Sequence, residues 1–77
     1  MKLKVELQAY LEQYSPNGEG VFEYEMPDGS RVRDVVDKLG IPDELASIVI
    51  VGNMNTDWSQ VIQEGDHVIL IPPLAGG

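Results

Sequence analysis

Gly76 and Gly77 end the sequence directly behind the apolar run from His67 to Ile71 and the stiff pair Pro72-Pro73. The reactive group such an ending offers is a main-chain carboxylate, not a side chain. Two prolines favour an extended polyproline path, so residues 72–77 can reach roughly 20 Å from the body that holds the preceding strand. A tip without Cβ atoms enters a narrow cleft that any larger residue would obstruct. An α-carboxylate titrates near pH ~3.5 and is ionised at neutral pH, and as a resonance-stabilised anion it is a poor electrophile. It needs activation, commonly as an acyl adenylate made from ATP, from which a sulfur or nitrogen nucleophile then displaces AMP. Nothing else in the chain supplies that chemistry, so a second protein must carry it out. The plainer reading of the same residues is a frayed end without function.

Competing chemistries are thinly represented. There is no cysteine, which removes disulfides, thiolate metal sites, iron–sulfur ligation and a cysteine nucleophile together. His67 is the only histidine; next to Asp66 and without a convergent carboxylate cluster it reads as structural, and no metal site is expected. Ser15, Ser30, Ser47 and Ser59 sit in turn or capping contexts with no nucleophile motif around them. Gly18 with Gly20, and Gly52-Asn53, lack the strand, loop and helix context of a phosphate-binding loop. The chain reads as no enzyme on its own.

Charge excludes two further classes. Thirteen acidic against five basic residues give a net charge of −8, and Lys2, Lys4, Arg31, Arg33 and Lys38 form no dense cluster. Nucleic acid and anionic membrane surfaces both demand positive charge, so neither is an expected partner. A basic protein partner reached by electrostatic steering is compatible with it. Apolar runs no longer than Ile48 to Val51 or Val68 to Ile71 are too short to span a bilayer, and the N-terminus lacks a long apolar leader; a cytoplasmic protein is expected.

The elements that would hold the tail are legible in the spacing. Leu3, Val5 and Leu7 alternate with polar residues as a first strand, and Tyr10, Leu11 and Tyr14 then turn towards helical spacing. Ser15 to Gly20 is a loop, and Phe22, Tyr24 and Met26 alternate as a second strand closed by Pro27-Asp28-Gly29. Ser30 is expected to cap a helix whose Val32, Val35, Val36 and Leu39 share one stripe and which ends at Gly40. Pro42 to Ser47 reads as a turn or short helix, Ile48 to Val51 as a buried strand, and Met54 to Gln63 as irregular, with Trp58 a lid over one end of the core. After the turn Glu64-Gly65-Asp66, Val68 and Leu70 face one side of a last strand and Ile69 and Ile71 the other, which expects a central strand. With 77 residues, 43% hydrophobic and 23% charged, the chain is one domain over residues 1–77, residues 72–77 forming its extended tail. Strand, strand, helix, strand, strand is an α+β order, a mixed sheet with one main helix packed on one face, and it matches the β-grasp or ubiquitin-like fold. One helix leaves the other face of the sheet open, where Ile69, Ile71 and Leu74 would make a modest apolar patch beside the reactive end.

In Leu3-Lys4-Val5-Glu6-Leu7, in Pro27-Asp28-Gly29-Ser30 leading into Val32-Arg33-Asp34-Val35-Val36, in Glu64-Gly65-Asp66 with Val68, and above all in Ile71-Pro72-Pro73-Leu74-Ala75-Gly76-Gly77, the chain resembles the small sulfur-carrier proteins of the MoaD and ThiS group over essentially its whole length. Its Gly52-Asn53 order, where that family often has Asn-Gly, and its Val35 and Val36, where leucines are common, depart from the pattern without touching the tail. The Pro72-Pro73 approach, the length and Tyr10-Leu11-Glu12 are closer to the small subunit of molybdopterin synthase, whereas Asp57-Trp58-Ser59 is similar to the thiazole-biosynthesis carrier.

The resemblance implies that an E1-like enzyme uses ATP to adenylate Gly77, that a sulfur donor protein converts it to a thiocarboxylate, and that the sulfur passes to a pterin or, alternatively, to a thiazole precursor. It casts Gly76 as the slender access segment, and Ile69, Ile71, Pro72, Pro73, Leu74 and Ala75 as the surface for partners, a larger synthase subunit among them. It implies no bound cofactor. A ubiquitin-like protein modifier and a non-covalent β-grasp interaction module are the alternative readings.

Overall fold

The computed structural model describes residues 1–73. Strand β1 (Lys2–Leu7) buries Leu3, Val5 and Leu7 and turns Lys2, Lys4 and Glu6 outward, as period two requires. A 3-10 helix, Ala9–Tyr14, is pinned to the body by the fully buried Leu11. Strand β2 (Val21–Glu25) returns antiparallel to β1, with Tyr24 opposite Leu3 and Phe22 opposite Val5. Helix α1 (Val32–Leu39) follows, and its stripe is the expected one: Val32, Val35 and Val36 are buried, and Leu39 packs against the core from its margin. Strongly β-branched, α1 has little intrinsic helical preference and depends on this packing.

Gly40 closes the helix at φ +77°, and the Ile41 amide donates back to the Val36 carbonyl at 3.1 Å, so the helix ends in a left-handed glycine turn. The start differs from the sequence reading. Ser30 is not the cap: its Oγ donates to the Pro27 carbonyl at 2.7 Å and closes the preceding turn, while Arg31 holds the capping position. Arginine has no acceptor to offer, so the helix is secured otherwise. The Asp34 carboxylate accepts from the Arg31 amide at 2.8 Å, and the first helical amides, Val32 and Arg33, donate to the Gln60 and Trp58 carbonyls at 3.0 Å each. The distant segment that holds Trp58 and Gln60 thus does the work expected of Ser30.

A second 3-10 turn (Asp43–Leu45) leads into strand β3 (Ile48–Val51). Two further corrections lie here. The stretch expected to be irregular begins with a short strand, β4 (Met54–Thr56), paired antiparallel to β3 through a hairpin whose two turn residues, Gly52 and Asn53, take φ +59° and +70°. Strand β3, expected to be buried, is so only at Val49; Ile48 is 45% exposed. Trp58 is the expected lid, half-buried on the core, with Nε1 donating to the Ala46 carbonyl at 3.1 Å and the Arg33 guanidinium 5.2 Å from its ring centre.

Strand β5 (His67–Ile71) completes a five-stranded mixed sheet in the order β2-β1-β5-β3-β4. It lies at the centre, parallel to β1 and antiparallel to β3. Val68 and Leu70 are fully buried beneath α1 with Leu3, Val5, Leu7 and Val49. This architecture is the β-grasp fold.

Candidate functional site

The centre of the sheet decides where Pro72 and Pro73 lie. Because β5 is hydrogen-bonded on both sides, to β1 and to β3, the chain reaches Pro72 from the central strand of the sheet. The Ile71 carbonyl accepts from the Ser47 amide at 3.1 Å, one position past the ladder with β3. On the other side the Gln8 amide donates to the Leu70 carbonyl at 3.1 Å, extending the β1 ladder to the start of the 3-10 helix. Pro72 is buried and Pro73 partly so, and the Tyr10 hydroxyl approaches the Pro73 carbonyl at 3.5 Å. Leu74, Ala75, Gly76 and Gly77, the reactive and access positions of the sequence reading and its outermost partner-binding residues, lie outside the described residues.

Around this exit the sheet presents its uncovered face. Ile69 and Ile71 are both on it and half-buried, as the alternation of β5 predicts. The register adds two residues the sequence reading placed in the interior: Ile48 lies opposite Ile71 and Ile50 opposite Ile69. Four isoleucines on adjacent strands therefore form one apolar patch next to Pro72. In a four-residue run that is β-branched throughout, period two leaves no polar marker of the open side, and only pairing with β5 reveals which members share the face of Ile69.

Beyond the patch the face turns polar along β1. His67 Nε2 lies 3.2 Å from Glu6 Oε1, and the other Glu6 oxygen accepts from Gln8 Nε2 at 3.0 Å. That pairing is a sufficient structural role for the histidine. Among the described residues no group of three His, Cys, Asp or Glu side chains is placed to hold a metal ion, and no helix is long and apolar enough to cross a membrane.

The shifted acidities mark structure as well. Burial on the helix side raises the Tyr24 phenol above its ordinary value. Hydrogen bonds from the Ser59 hydroxyl and amide hold the fully exposed Asp57 carboxyl below its own, which accounts for Asp57-Trp58-Ser59 as the turn that feeds the carbonyls of Trp58 and Gln60 to α1.

Comparison with known proteins follows this geometry. A family model described as the ThiS family matches residues 5–77. Among solved structures, a Pyrococcus furiosus protein described as a molybdopterin converting factor, subunit 1, is 25% identical, with a TM-score of 0.74 over 96% of this chain and 99% of that one. SAMP1 from Haloferax volcanii is similar in fold, with 18% identity and a TM-score of 0.76 over the whole of both chains. The HVO 2177 protein of Haloferax volcanii, at 22% identity, gives a TM-score of 0.78 over all of this chain and 87% of that one. No curated protein sequence matches.

Proposed function

Because the chain belongs to the ThiS family of small ubiquitin-like sulfur carriers and modifiers, we propose that it carries sulfur on its final glycine for molybdopterin synthesis. In this reading an E1-like enzyme joins the Gly77 carboxylate to the AMP moiety of ATP and releases pyrophosphate. Sulfide supplied by a sulfur donor protein then displaces AMP, and the carboxyl becomes a thiocarboxylate whose sulfur goes to the pterin precursor in the active site of a larger synthase subunit. The carrier binds no cofactor of its own, and it works in the cytoplasm with those partners.

The observation that carries the reading is the exit of residues 72 and 73 from the central strand beside the Ile48, Ile50, Ile69 and Ile71 patch. A rigid root costs little further ordering when a partner grips the patch and draws the tip into a cleft. The apolar face then serves as the docking surface, with Pro72 and Pro73 at its margin and Leu74 and Ala75 leading to Gly76 and Gly77. The likeness to the Pyrococcus furiosus molybdopterin converting factor subunit supports the choice of acceptor.

Incubation with the cognate activating enzyme, ATP and a sulfur source, followed by intact-mass measurement, is expected to register replacement of one oxygen by sulfur at Gly77. Persistent absence of that exchange would reject the carrier reading. Delivery to a thiazole precursor is the second reading, favoured by the family model itself, and it is separated by supplying the charged carrier to each acceptor system. Conjugates on a denaturing gel would instead mark a protein modifier. Full retention of activity after deletion of Gly76 and Gly77 would mark a non-covalent module.

A further inference from the structure

The sheet has two edges, and they are not equivalent. Strand β4 has three residues, and only Asn55 turns its main-chain N–H and C=O away from β3, because Met54 and Thr56 face the partner strand across a two-residue hairpin. Strand β2 has five residues. The Leu7 amide donates to the Gly20 carbonyl at 2.7 Å and the Met26 amide to the Met1 carbonyl at 3.0 Å, so the even-numbered residues from 20 to 26 face β1. Val21, Glu23 and Glu25 therefore direct their main-chain groups out of the sheet. Lys38 Nζ takes one of them, donating to the Glu25 carbonyl at 3.2 Å while lying 5.1 Å from the Tyr24 ring centre. Among the described residues, three N–H groups and two carbonyls remain as a template for an added strand.

The side chains of this edge select what can join it. Val21, Glu23 and Glu25 are all exposed and lie on the open face, whereas Phe22 and Tyr24 stack edge to face, 5.7 Å apart, towards the helix. A second copy pairing antiparallel through β2 about Glu23 would set Glu23 against Glu23, and like charges directly opposite are unfavourable. Lys2 lies one strand inward, and its Nζ is 3.7 Å from Glu23 Oε2, an exposed contact that an incoming cation can share. Lys4, opposite Glu23 in the register, is the other cation behind this edge. The outermost rank is thus anionic in a chain of net charge −8.

We propose that the β2 edge receives an extended cationic segment of a partner protein as a sixth, antiparallel strand. Its alternate Lys or Arg residues stand beside Glu23 and Glu25, and its intervening apolar residues lie along Phe22 and Tyr24. At the ~4.8 Å spacing of strands, β2 is roughly 10 Å from β5, so a segment seated there leaves the isoleucine patch and tail root uncovered. Two partners can then be held together, one at each position. The proposal is independent of any activation of Gly77.

The test is titration of the full chain with a synthetic peptide of alternating lysine and valine, followed by amide chemical shifts and hydrogen exchange. Binding is expected to slow exchange at the Val21, Glu23 and Glu25 amides, to weaken with salt, and to be about tenfold tighter than for the glutamate–valine counterpart. Glu23→Lys with Glu25→Lys, both exposed and so compatible with folding, is expected to reverse the preference. Equal binding by a proline-interrupted lysine peptide would overturn the proposal, as would absent protection at those three amides or shifts confined to the isoleucine patch.

Discussion

The two faces of one sheet use the same residue types to opposite ends. Beneath α1, Val49, Val68 and Leu70 are 2% exposed or less, whereas on the other side Ile48, 45% exposed, joins Ile50, Ile69 and Ile71 at the surface. Neighbours along a single strand therefore separate into packing and exposure: Leu70 lies in the core, and Ile69 and Ile71 lie on the open face next to Pro72. Aliphatic character alone says nothing about role; the position of helix α1 does.

Truncation across β5 is the hardest test of that contrast. Leu70→Ala, which opens a cavity under α1, is expected to cost about 2–5 kcal/mol, a large share of the roughly 4–12 kcal/mol typical of a domain this size. Ile69→Ala is expected to cost under about 1 kcal/mol, since solvent and a shallow surface replace the lost methyls. Urea unfolding followed by circular dichroism compares the two, and equal losses would break the distinction between the faces. Next in size, Ile48→Ser together with Ile71→Ser is expected to weaken binding to the activating enzyme by about 10–100-fold. The midpoint of unfolding should move far less than for Leu70→Ala, which calorimetry with each variant checks.

Gly40→Ala probes the helix that creates the asymmetry. No atom lies within 4 Å of the added Cβ, so the expected cost of about 1–2 kcal/mol is the left-handed backbone alone, and a smaller loss would show that the helix end relaxes. The smallest effect is in alkali. Burial on the closed face raises the pKa of the Tyr24 phenol, so the folded state disfavours phenolate relative to the unfolded chain. That contribution is fully present below pH ~10, the unfolded value, and is lost as pH rises through it towards the higher folded value. Tyr24→Phe should flatten this limb of the stability curve; an unchanged limb would assign it elsewhere.

Legibility tracked the strength of the local signal. Alternation in Leu3-Val5-Leu7, the stripe from Val32 to Leu39 and the stop at Gly40 are each specified by residues within a turn or two of one another, and all three are as expected. Met54–Thr56 escaped because a three-residue strand held by its hairpin carries no apolar period, and the only cue was the Gly52-Asn53 turn. Ser30 misled because two adjacent polar residues, Ser30 and Arg31, compete for one capping position, and the amides were satisfied from Trp58 and Gln60, a partner no local pattern announces. At the site, Ile69 and Ile71 were legible from alternation, whereas Ile48 and Ile50 required the β3 to β5 register.

The order of residues alone determined the elements of this protein, the absence of thiol chemistry, its strong negative charge and the glycine pair behind two prolines, because each is a local or additive property of the chain. Tertiary structure alone decided that β5 is flanked by β1 and β3, that Ile48 and Ile50 join its outward residues, and that β2 lies at an edge of the sheet. Those are pairings between segments tens of residues apart. They are selected by which arrangement buries the most apolar surface while satisfying the backbone, a condition on the whole chain that no window of it contains.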